Sequence, residues 1–207
     1  MKTLTEKEAE DFLEKEGFKV VKRILIKNKD ELKKIENKID FPWVMKISSR
    51  HVVHKAKIGG TILNIKNLEE AGKAFAKLKS LNHFEGILVQ EMIFGEELIL
   101  GIEKTSEFEN VIMFGKGGTD VEKVKDVSFR LPPVCKEEAG KMLKELRTYK
   151  KLRSRINEKE IIKNIIKASQ FAEKHKEITE LDINPLIANK KQVMVVDARI
   201  SIKTNSS

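Results

Sequence analysis

The order of helices and strands is the feature that most constrains the fold of this chain. Apolar periodicity and the positions of glycine and proline predict the succession α-β-α-β-loop-α-β-β-β-β-α-α-β-β. A doubly wound parallel sheet requires regular strand–helix repeats, which this succession lacks. Clustered strands flanked by helices instead indicate an α+β chain in two lobes. We expect the lobes to comprise residues 1–92 and 93–207, with a seam near Glu91–Gly95.

Local signals place the individual elements. Thr5 and Glu8 form a capping-box pattern at the start of the first helix, and Asn67 is placed to cap another. Pro185 cannot donate to a strand ladder, so its segment is expected at a strand end. The other predicted helices lie at Asn28–Ile39, Glu137–Tyr149 and Glu158–Lys174, and the predicted strands lie at Phe18–Ile26, Trp43–Ile47, Gly86–Met92, Glu97–Ile102, Val111–Phe114 and Val121–Phe129. Thr61–Ile65 is a further candidate strand, and the chain closes with strand pieces near Ile178–Leu181, Leu186–Ala188 and Val193–Val196.

Composition excludes several classes of protein. A single cysteine, Cys135, excludes an internal disulfide framework and a multi-cysteine metal site within the 207 residues. No apolar run approaches the roughly 18 residues of a membrane span, and the first ten residues lack the apolar core of a signal peptide, so we expect a cytoplasmic protein with no membrane partner. The net charge of +9 favours anionic partners such as a nucleotide, phosphate or an acidic subunit. Nucleic acid fits poorly, because the lysines are interleaved with glutamates and aromatic residues make up only 6%.

Two oxygen-bearing segments near the C-terminus could hold a hard cation. Asp182 and Asn184 are two residues apart, so on an extended segment both side chains point to one face. Asp197 follows three β-forming residues, at the end of another predicted strand. Mg²⁺ is usually bound by one or two protein oxygens together with water and substrate phosphates. The pattern is therefore compatible with a Mg²⁺ site, and also with polar residues that merely cap two strand ends.

A lysine inside an apolar strand requires a negatively charged partner. Lys46 lies within the predicted strand Trp43–Ile47, where an uncompensated ammonium group would be costly. A phosphate or an ordinary salt bridge would each satisfy it. The loop that follows holds two histidines and two lysines before Gly59-Gly60, and these cations could bind phosphates or belong to a plain basic surface loop.

Two further segments offer groups that a nucleotide could use. Glu91 ends a predicted strand at the seam, where backbone groups could meet a base edge and the carboxylate could meet ribose hydroxyls. A simple solvated carboxylate is the plainer interpretation. The segment Gly115-Lys116-Gly117-Gly118 is typical of a flexible turn, which could cover phosphates or serve only as a turn.

Taken jointly, nine short segments are similar in order and spacing to a known family. They are Leu4-Thr5-Glu6-Lys7-Glu8-Ala9, Pro42-Trp43-Val44-Met45-Lys46-Ile47, His54-Lys55 with Gly59-Gly60, Val89-Gln90-Glu91-Met92, Glu97-Leu98-Ile99-Leu100-Gly101, Phe114-Gly115-Lys116-Gly117-Gly118, Phe129-Arg130-Leu131, Glu180-Leu181-Asp182-Ile183-Asn184-Pro185-Leu186 and Val196-Asp197-Ala198-Arg199-Ile200. The chain resembles the ATP-grasp β-subunit portion of ADP-forming acetyl-CoA synthetases, in the NDP-forming acyl-CoA synthetase superfamily that includes succinyl-CoA synthetase. The resemblance runs over nearly the whole chain.

The resemblance implies an ATP-grasp fold with the nucleotide between two α/β lobes. His54 is implied to accept a phosphoryl group, because its loop resembles a mobile histidine loop of the family. The implied Mg²⁺ ligands are Asn184 and Asp197, with Asp182 and Arg199 in support. The residues implied to bind ATP or ADP are Lys46 at the phosphates, Glu91, Met92 and Ile93 at the base and ribose, Glu97 on the ribose side, and Gly117 and Gly118 in the glycine loop.

The implied function is that of the nucleotide-binding β subunit of an ADP-forming acetate–CoA ligase. The net reaction would be acyl-CoA + ADP + phosphate ⇌ acid + CoA + ATP, and a separate CoA-binding α subunit is implied because the CoA-binding part is missing here. Three departures from the family pattern support an alternative, an altered ATP-grasp paralogue that binds nucleotide or a partner as a regulatory module. Ala56-Lys57 replace Ser-Asp, Lys116 replaces an apolar residue between glycines, and residues 151–157 lack the expected glycines.

Overall fold

The chain forms two compact units. The computed structural model describes residues 1–51, 55–118 and 126–204. One unit comprises Met1–Val20 and Phe94–Ser207, and the other comprises Val21–Ile93. The change of unit at residues 93–94 falls within the predicted seam.

The first twenty residues belong to the larger unit, whereas the sequence-based division placed them in the N-terminal lobe. Strand β1 (Lys2–Thr3) pairs with β11 (Ala198–Ile202), and helix α1 (Glu6–Lys15) packs against the same strand. Backbone pairing with the last strand therefore draws the start of the chain away from the residues that follow it.

The smaller unit is a four-stranded antiparallel sheet with its apolar core on one face. Its strands lie in the order β2-β5-β3-β4. Trp43, Met45 and Ile47 alternate along β3 into the core, so Val44 and Lys46 point to the opposite face. The elements are β2 (Arg23–Ile26), α2 (Glu31–Ile35), β3 (Trp43–Ser48), a 3₁₀ turn (Lys55–Ile58), β4 (Thr61–Ile65), α3 (Leu68–Lys79) and β5 (Gly86–Glu91).

The larger unit is a seven-stranded sheet with helices on one face. Its order is β1-β11-β9-β6-β7-β8, with β10 also paired to β9, and every pair of strands is antiparallel. Leu98, Leu100 and Ile102 of β6 pack into the helix-covered core, which leaves the odd-numbered residues of β6 on the other face. The remaining elements are β6 (Glu96–Glu103), β7 (Val111–Lys116), β8 (Val127–Arg130), α4 (Lys136–Glu145), α5 (Tyr149–Leu152), α6 (Glu158–Lys174), β9 (Ile178–Ala188) and β10 (Val193–Val195).

The capping signals are confirmed. Thr5 and Glu8 form both hydrogen bonds of the capping box at the start of α1. Asn67 Oδ1 accepts a hydrogen bond from the Glu70 amide at 2.9 Å and so caps α3. The last helix spans Glu158–Lys174, as predicted. No helix in the described part of the chain is both long and apolar enough to cross a bilayer.

The prediction of a strand end at Pro185 is wrong, because β9 runs through it from Ile178 to Ala188. The pairing of β9 with β6 shifts register between Leu98 and Leu100, so that two residues of β9 lie opposite Ile99. This irregularity takes Pro185 out of the β6 ladder, where its missing N–H would have mattered.

Other boundaries moved for identifiable reasons. Strand β2 begins at Arg23 rather than Phe18, because Phe18 is buried in the core of the larger unit. The helix predicted over Glu137–Tyr149 ends at Glu145, where Leu146 becomes extended. Gly115 and Lys116 belong to β7 rather than to a turn. The predicted strand Val121–Phe129 is present from Val127, and its first five residues lie outside the described part of the chain.

Candidate functional site

Lys46 lies on the face of the smaller sheet that is opposite the apolar core. In the antiparallel register it is directly across from Leu88, and Val44 is across from Gln90, so these four residues share one face. All four are buried, and Lys46 is only 6% exposed. Strand β3 therefore presents the Lys46 ammonium group on a face that also carries Gln90 and, across the ladder from Gln90, Arg23.

Glu91 is the last residue of β5, as the sequence predicted. Its amide donates to the Lys22 carbonyl at 3.1 Å, and the Met92 amide donates to the Pro42 carbonyl at 3.0 Å. Glu91, Met92 and Ile93 are each half-buried. These bonds fix the path of the backbone as it leaves the sheet, just before the chain passes into the other unit.

Glu97, Gly117 and Gly118 come together at one end of the larger sheet. The Gly117 amide donates to the Glu97 carbonyl at 2.8 Å. A Cβ atom at Gly117 would lie 2.8 Å from the Leu98 backbone, and one at Gly118 would lie 2.7 Å from Glu97 Oε2. Gly118 also has a φ of +100°. Close packing and backbone conformation therefore both require glycine here.

Asn184 and Asp197 are brought side by side by the backbone. The Asn184 amide donates to the Asp197 carbonyl at 3.2 Å, and the Val196 amide donates to the Pro185 carbonyl at 3.4 Å. The Asn184 side chain is exposed and Asp197 is half-buried. An amide oxygen and a carboxylate are thus available from neighbouring segments, as the sequence pattern predicted.

This donor set fits a hard cation that shares its ligands with a phosphate. Mg²⁺ favours oxygen ligands and commonly takes only one or two from the protein. Within residues 1–51, 55–118 and 126–204, no three His, Cys, Asp or Glu side chains form a group that could enclose a metal ion. The two oxygen donors therefore fit a metal carried in with a nucleotide better than a metal caged by protein.

Asp182 is half-buried, and its carboxylate has incomplete hydrogen bonding. Its Oδ1 is inaccessible to solvent and has no hydrogen-bond partner among the described residues. Burial raises the pKa of Asp182; Arg199 opposes the rise, whereas the like charges of Glu180 and Asp197 add to it. Arg199 lies directly across the β9–β11 ladder from Asp182, and its guanidinium pairs with Glu180. A desolvated acid with a perturbed pKa is a candidate functional group.

A groove of about 590 Å³ lies on the same face of the larger sheet. Asp182 and Glu180 line one side of it, and Ile99, Met113 and Phe129 supply apolar surface. The face that carries Asp182 therefore combines carboxylates with apolar side chains, of which Phe129 is exposed.

The structure groups most of the predicted residues by unit. Lys46, Glu91, Met92 and Ile93 lie in the smaller unit, and the glycine pair, Glu97, Asp182, Asn184, Asp197 and Arg199 lie in the larger one. His54 lies outside the described residues. Sequence reasoning missed Glu180, although its two-residue spacing from Asp182 places both on one face of a strand. It also missed Glu96 as the partner of Lys116.

Comparison with known proteins identifies the family to which the chain is similar. The family model of the ATP-grasp domain matches residues 1–202. The chain is 36% identical over 210 residues to acetate–CoA ligase (ADP-forming) I subunit beta of Pyrococcus furiosus, which covers 95% of this chain and 90% of that one. It is also 36% identical over 204 residues to acetate–CoA ligase (ADP-forming) II of Archaeoglobus fulgidus, which covers 96% of this chain but only 30% of that longer protein.

A solved relative has the same fold over nearly the whole chain. The dinucleotide forming acetyl-coenzyme A synthetase 1 of Ca. Korarchaeum cryptofilum, in complex with coenzyme A, Ca-AMPCP and HgCl⁺, matches with a TM-score of 0.91 and 38% identity, covering 98% of this chain and 94% of that chain. Another structure of that protein, with coenzyme A and Mg-AMPPCP, matches with a TM-score of 0.84 and 37% identity, covering 98% and 93%. In it the phosphohistidine segment is described as pointing towards the nucleotide binding site.

Proposed function

The chain belongs to the ATP-grasp family, among the β subunits of ADP-forming acetyl-CoA synthetases, and we propose that it binds Mg-ADP and Mg-ATP as the β subunit of an acetate–CoA ligase. The observation that carries this proposal is the Asn184–Asp197 backbone bond, which sets two hard oxygen donors side by side. Asn184 lies on β9, which pairs with β6, and β6 carries Glu97 and its contacts to Gly117 and Gly118. The residues proposed to hold the metal and the ribose thus belong to one compact unit.

In this proposal, each of these residues contacts one part of the nucleotide. Lys46 donates hydrogen bonds to phosphate oxygens and offsets their negative charge. Glu97 accepts hydrogen bonds from ribose hydroxyls, and the backbone of residues 91–93 meets the base edge. Gly117 and Gly118 lack side chains and so pack closely against Leu98 and Glu97, and the glycine segment is proposed to cover the phosphates. Mg²⁺ held by Asn184 and Asp197 would neutralise phosphate charge during transfer.

The reaction we propose is phosphoryl exchange between the nucleotide and His54. In the direction of ATP consumption, a neutral imidazole nitrogen attacks the γ-phosphorus, the bond to the bridging oxygen breaks, and ADP leaves. In the reverse direction, ADP takes the phosphoryl group from phosphohistidine and becomes ATP. Catalysis here is mainly positioning and charge compensation, to which Lys46 contributes. The protein with 37% identity that carries a phosphohistidine segment supports this step.

We further propose that a CoA-binding α subunit completes the enzyme. The chain spans only about 30% of the Archaeoglobus fulgidus relative but 90% of the Pyrococcus furiosus β subunit. A phosphoryl group on His54 would be passed to acyl-CoA chemistry on that partner. The half-buried carboxylate of Asp182 is proposed to support the metal ligands Asn184 and Asp197, with Arg199 holding the adjacent Glu180.

Calorimetric titration of the full chain with Mg-ADP tests nucleotide binding. We expect micromolar-range binding, weakened about tenfold to a hundredfold by Lys46→Met, because a charge-assisted hydrogen bond contributes about 1.5–3 kcal/mol. Asn184→Ala and Asp197→Asn should weaken Mg-ADP binding more than metal-free ADP binding. Lys73→Met, which breaks the exposed pair with Glu69, is the matched control. Folded wild-type protein that gives no heat with Mg-ADP would overturn the proposal.

Phosphohistidine formation separates an active subunit from a regulatory module. Radiolabelled Mg-ATP should label the wild-type chain with an acid-labile, alkali-stable phosphate. His54→Ala should abolish the label, and His83→Asn, at an exposed histidine, should leave it unchanged. One observation favours the regulatory alternative. Lys116 and Arg155, at two positions that depart from the family pattern, both form ion pairs with Glu96. Nucleotide binding with no label, even with a CoA-binding subunit supplied, would establish that alternative.

A further inference from the structure

Two of the residues that depart from the family pattern share one carboxylate. Lys116 Nζ lies 2.9 Å from Glu96 Oε2, and Arg155 Nη1 lies 3.0 Å from Glu96 Oε1. Glu96 begins β6, Lys116 ends β7, and Arg155 lies between α5 and α6. We call these three residues the Glu96 clasp. It joins two strand ends and a helix connection, although its members are up to 59 residues apart in sequence.

The clasp lies directly behind the glycine pair. Lys116 is across the ladder from Leu98, whose side chain is in the helix-covered core, so Lys116 is on the helix side of the sheet. The next residue, Gly117, donates its amide to the Glu97 carbonyl, and Gly118 abuts the Glu97 carboxylate. Alternation along β6 thus puts Glu96 on the face of the clasp and Glu97 on the face of the glycines.

Glu96 and Lys116 of the clasp are partly shielded from solvent. The Glu96 side chain is 20% exposed and Lys116 is 30% exposed, whereas Arg155 is largely exposed at 68%. The hydrogen bond from Lys116 lowers the pKa of Glu96; burial opposes this, and Arg155 lowers it further. Glu96 therefore stays ionised at neutral pH. The pair with Lys116 is the stronger anchor, because partial burial reduces screening by solvent.

We propose that Glu96 is a positioning residue for nucleotide binding, which acts by holding Lys116 so that Gly117 and Gly118 keep one conformation against Glu97. This inference rests on the proposed function. Two consecutive glycines have no side chains of their own to anchor them, and the backbone at glycine loses more conformational freedom on ordering than at any other residue. The residue before them can supply a side-chain anchor in addition to the Gly117–Glu97 backbone bond, and Lys116 does so through Glu96.

The direction in which Glu96→Gln changes the Kd for Mg-ADP distinguishes positioning from a simple charge effect. Glu96→Gln removes a negative charge from the neighbourhood of an anionic ligand. If Glu96 acted only through its field, its loss would tighten binding of Mg-ADP. If Glu96 positions the glycine pair, its loss weakens binding. Lys116→Met weakens binding under either explanation, so the Glu96 variant decides between them.

The test is calorimetry of the full chain with Mg-ADP, using Glu96→Gln, Lys116→Met and the double variant. We expect each single change to raise Kd about threefold to tenfold, the range of a partly shielded ion pair. The Kd of the double variant should not exceed the higher Kd of the two single variants, because both changes break the same contact. Glu69→Gln, which breaks the exposed Glu69–Lys73 pair in the other unit, should leave Kd unchanged.

Thermal unfolding without ligand shows whether each variant is folded. Equal or tighter binding by folded Glu96→Gln, or additive losses in the double variant, would overturn the inference while wild-type binding upheld the proposed function. If Glu96→Gln does not fold, Glu96→Asp takes its place, since it keeps the charge but shortens the reach to Lys116 and should also raise Kd. Absence of wild-type binding would overturn both proposals.

Discussion

Replacing Asp126 with alanine should destabilise the larger unit strongly. Asp126 is 4% exposed, and its carboxylate accepts hydrogen bonds from the Arg147 amide at 2.7 Å, the Thr148 amide at 3.0 Å and Thr148 Oγ1 at 2.5 Å. These contacts hold the segment that follows α4 against the start of β8. Alanine would leave three donors without their acceptor.

The magnitude follows from the number and kind of bonds. Each hydrogen bond to a charged group contributes about 1.5–3 kcal/mol, and three bonds to one carboxylate are not additive, so we expect a loss of about 3–4 kcal/mol. Asp126→Asn should lose about 2 kcal/mol, because it keeps one oxygen but turns an N–H group towards a donor. Thr148→Val, which removes only the hydroxyl bond, should lose about 1 kcal/mol.

Urea unfolding followed by circular dichroism measures these losses. Asp11→Ala is the control, since its surface pair with Lys7 should contribute less than about 0.5 kcal/mol. Burial alone would raise the pKa of Asp126, but the hydrogen bonds from Thr148 and Arg147 outweigh it and lower the pKa below its ordinary 3.8. The stabilisation is therefore present above pH 3.8 and disappears as pH falls through the lower folded-state pKa. A loss below about 1 kcal/mol for the alanine variant would refute this reasoning.

Two further substitutions test local features of the fold. Asn67→Ala should destabilise the protein by about 1 kcal/mol in urea unfolding, because it removes the side-chain cap of α3. Gly117→Ala should weaken Mg-ADP binding and lower Tm, because its Cβ would lie 2.8 Å from the Leu98 backbone, whereas Gly140→Ala, with its nearest neighbour 3.8 Å away inside a helix, should leave binding unchanged and raise Tm slightly. Equal effects at the two glycines would contradict the packing argument.

The sequence predicted the features that depend on interactions between residues close together in the chain. The Asn67 cap, the capping box at Thr5 and the buried strand around Lys46 each depend on residues within a few positions of one another. The sequence also placed Asn184 and Asp197 at predicted strand ends, and the structure joins their backbones by one hydrogen bond. The sequence around Pro185 could not predict that β9 continues through it. The register shift that permits this depends on pairing with β6, more than eighty residues earlier.

Contacts between distant parts of the chain account for the remaining differences. The first twenty residues join the larger unit because their strand pairs with the last one, which no local pattern encodes. The helix after Cys135 stops early because Asp126 takes the amides of Arg147 and Thr148. In the sequence, Lys116 is one of three departures from the family pattern. Its ion pair with Glu96 gives the same residue a structural role.

A crystal structure of the chain with Mg-ADP tests the central claim most directly. The account predicts Lys46 Nζ within hydrogen-bonding distance of a phosphate oxygen, and the metal bound to the side-chain oxygens of Asn184 and Asp197. Nucleotide bound away from Lys46, or a metal held by other residues, would contradict it.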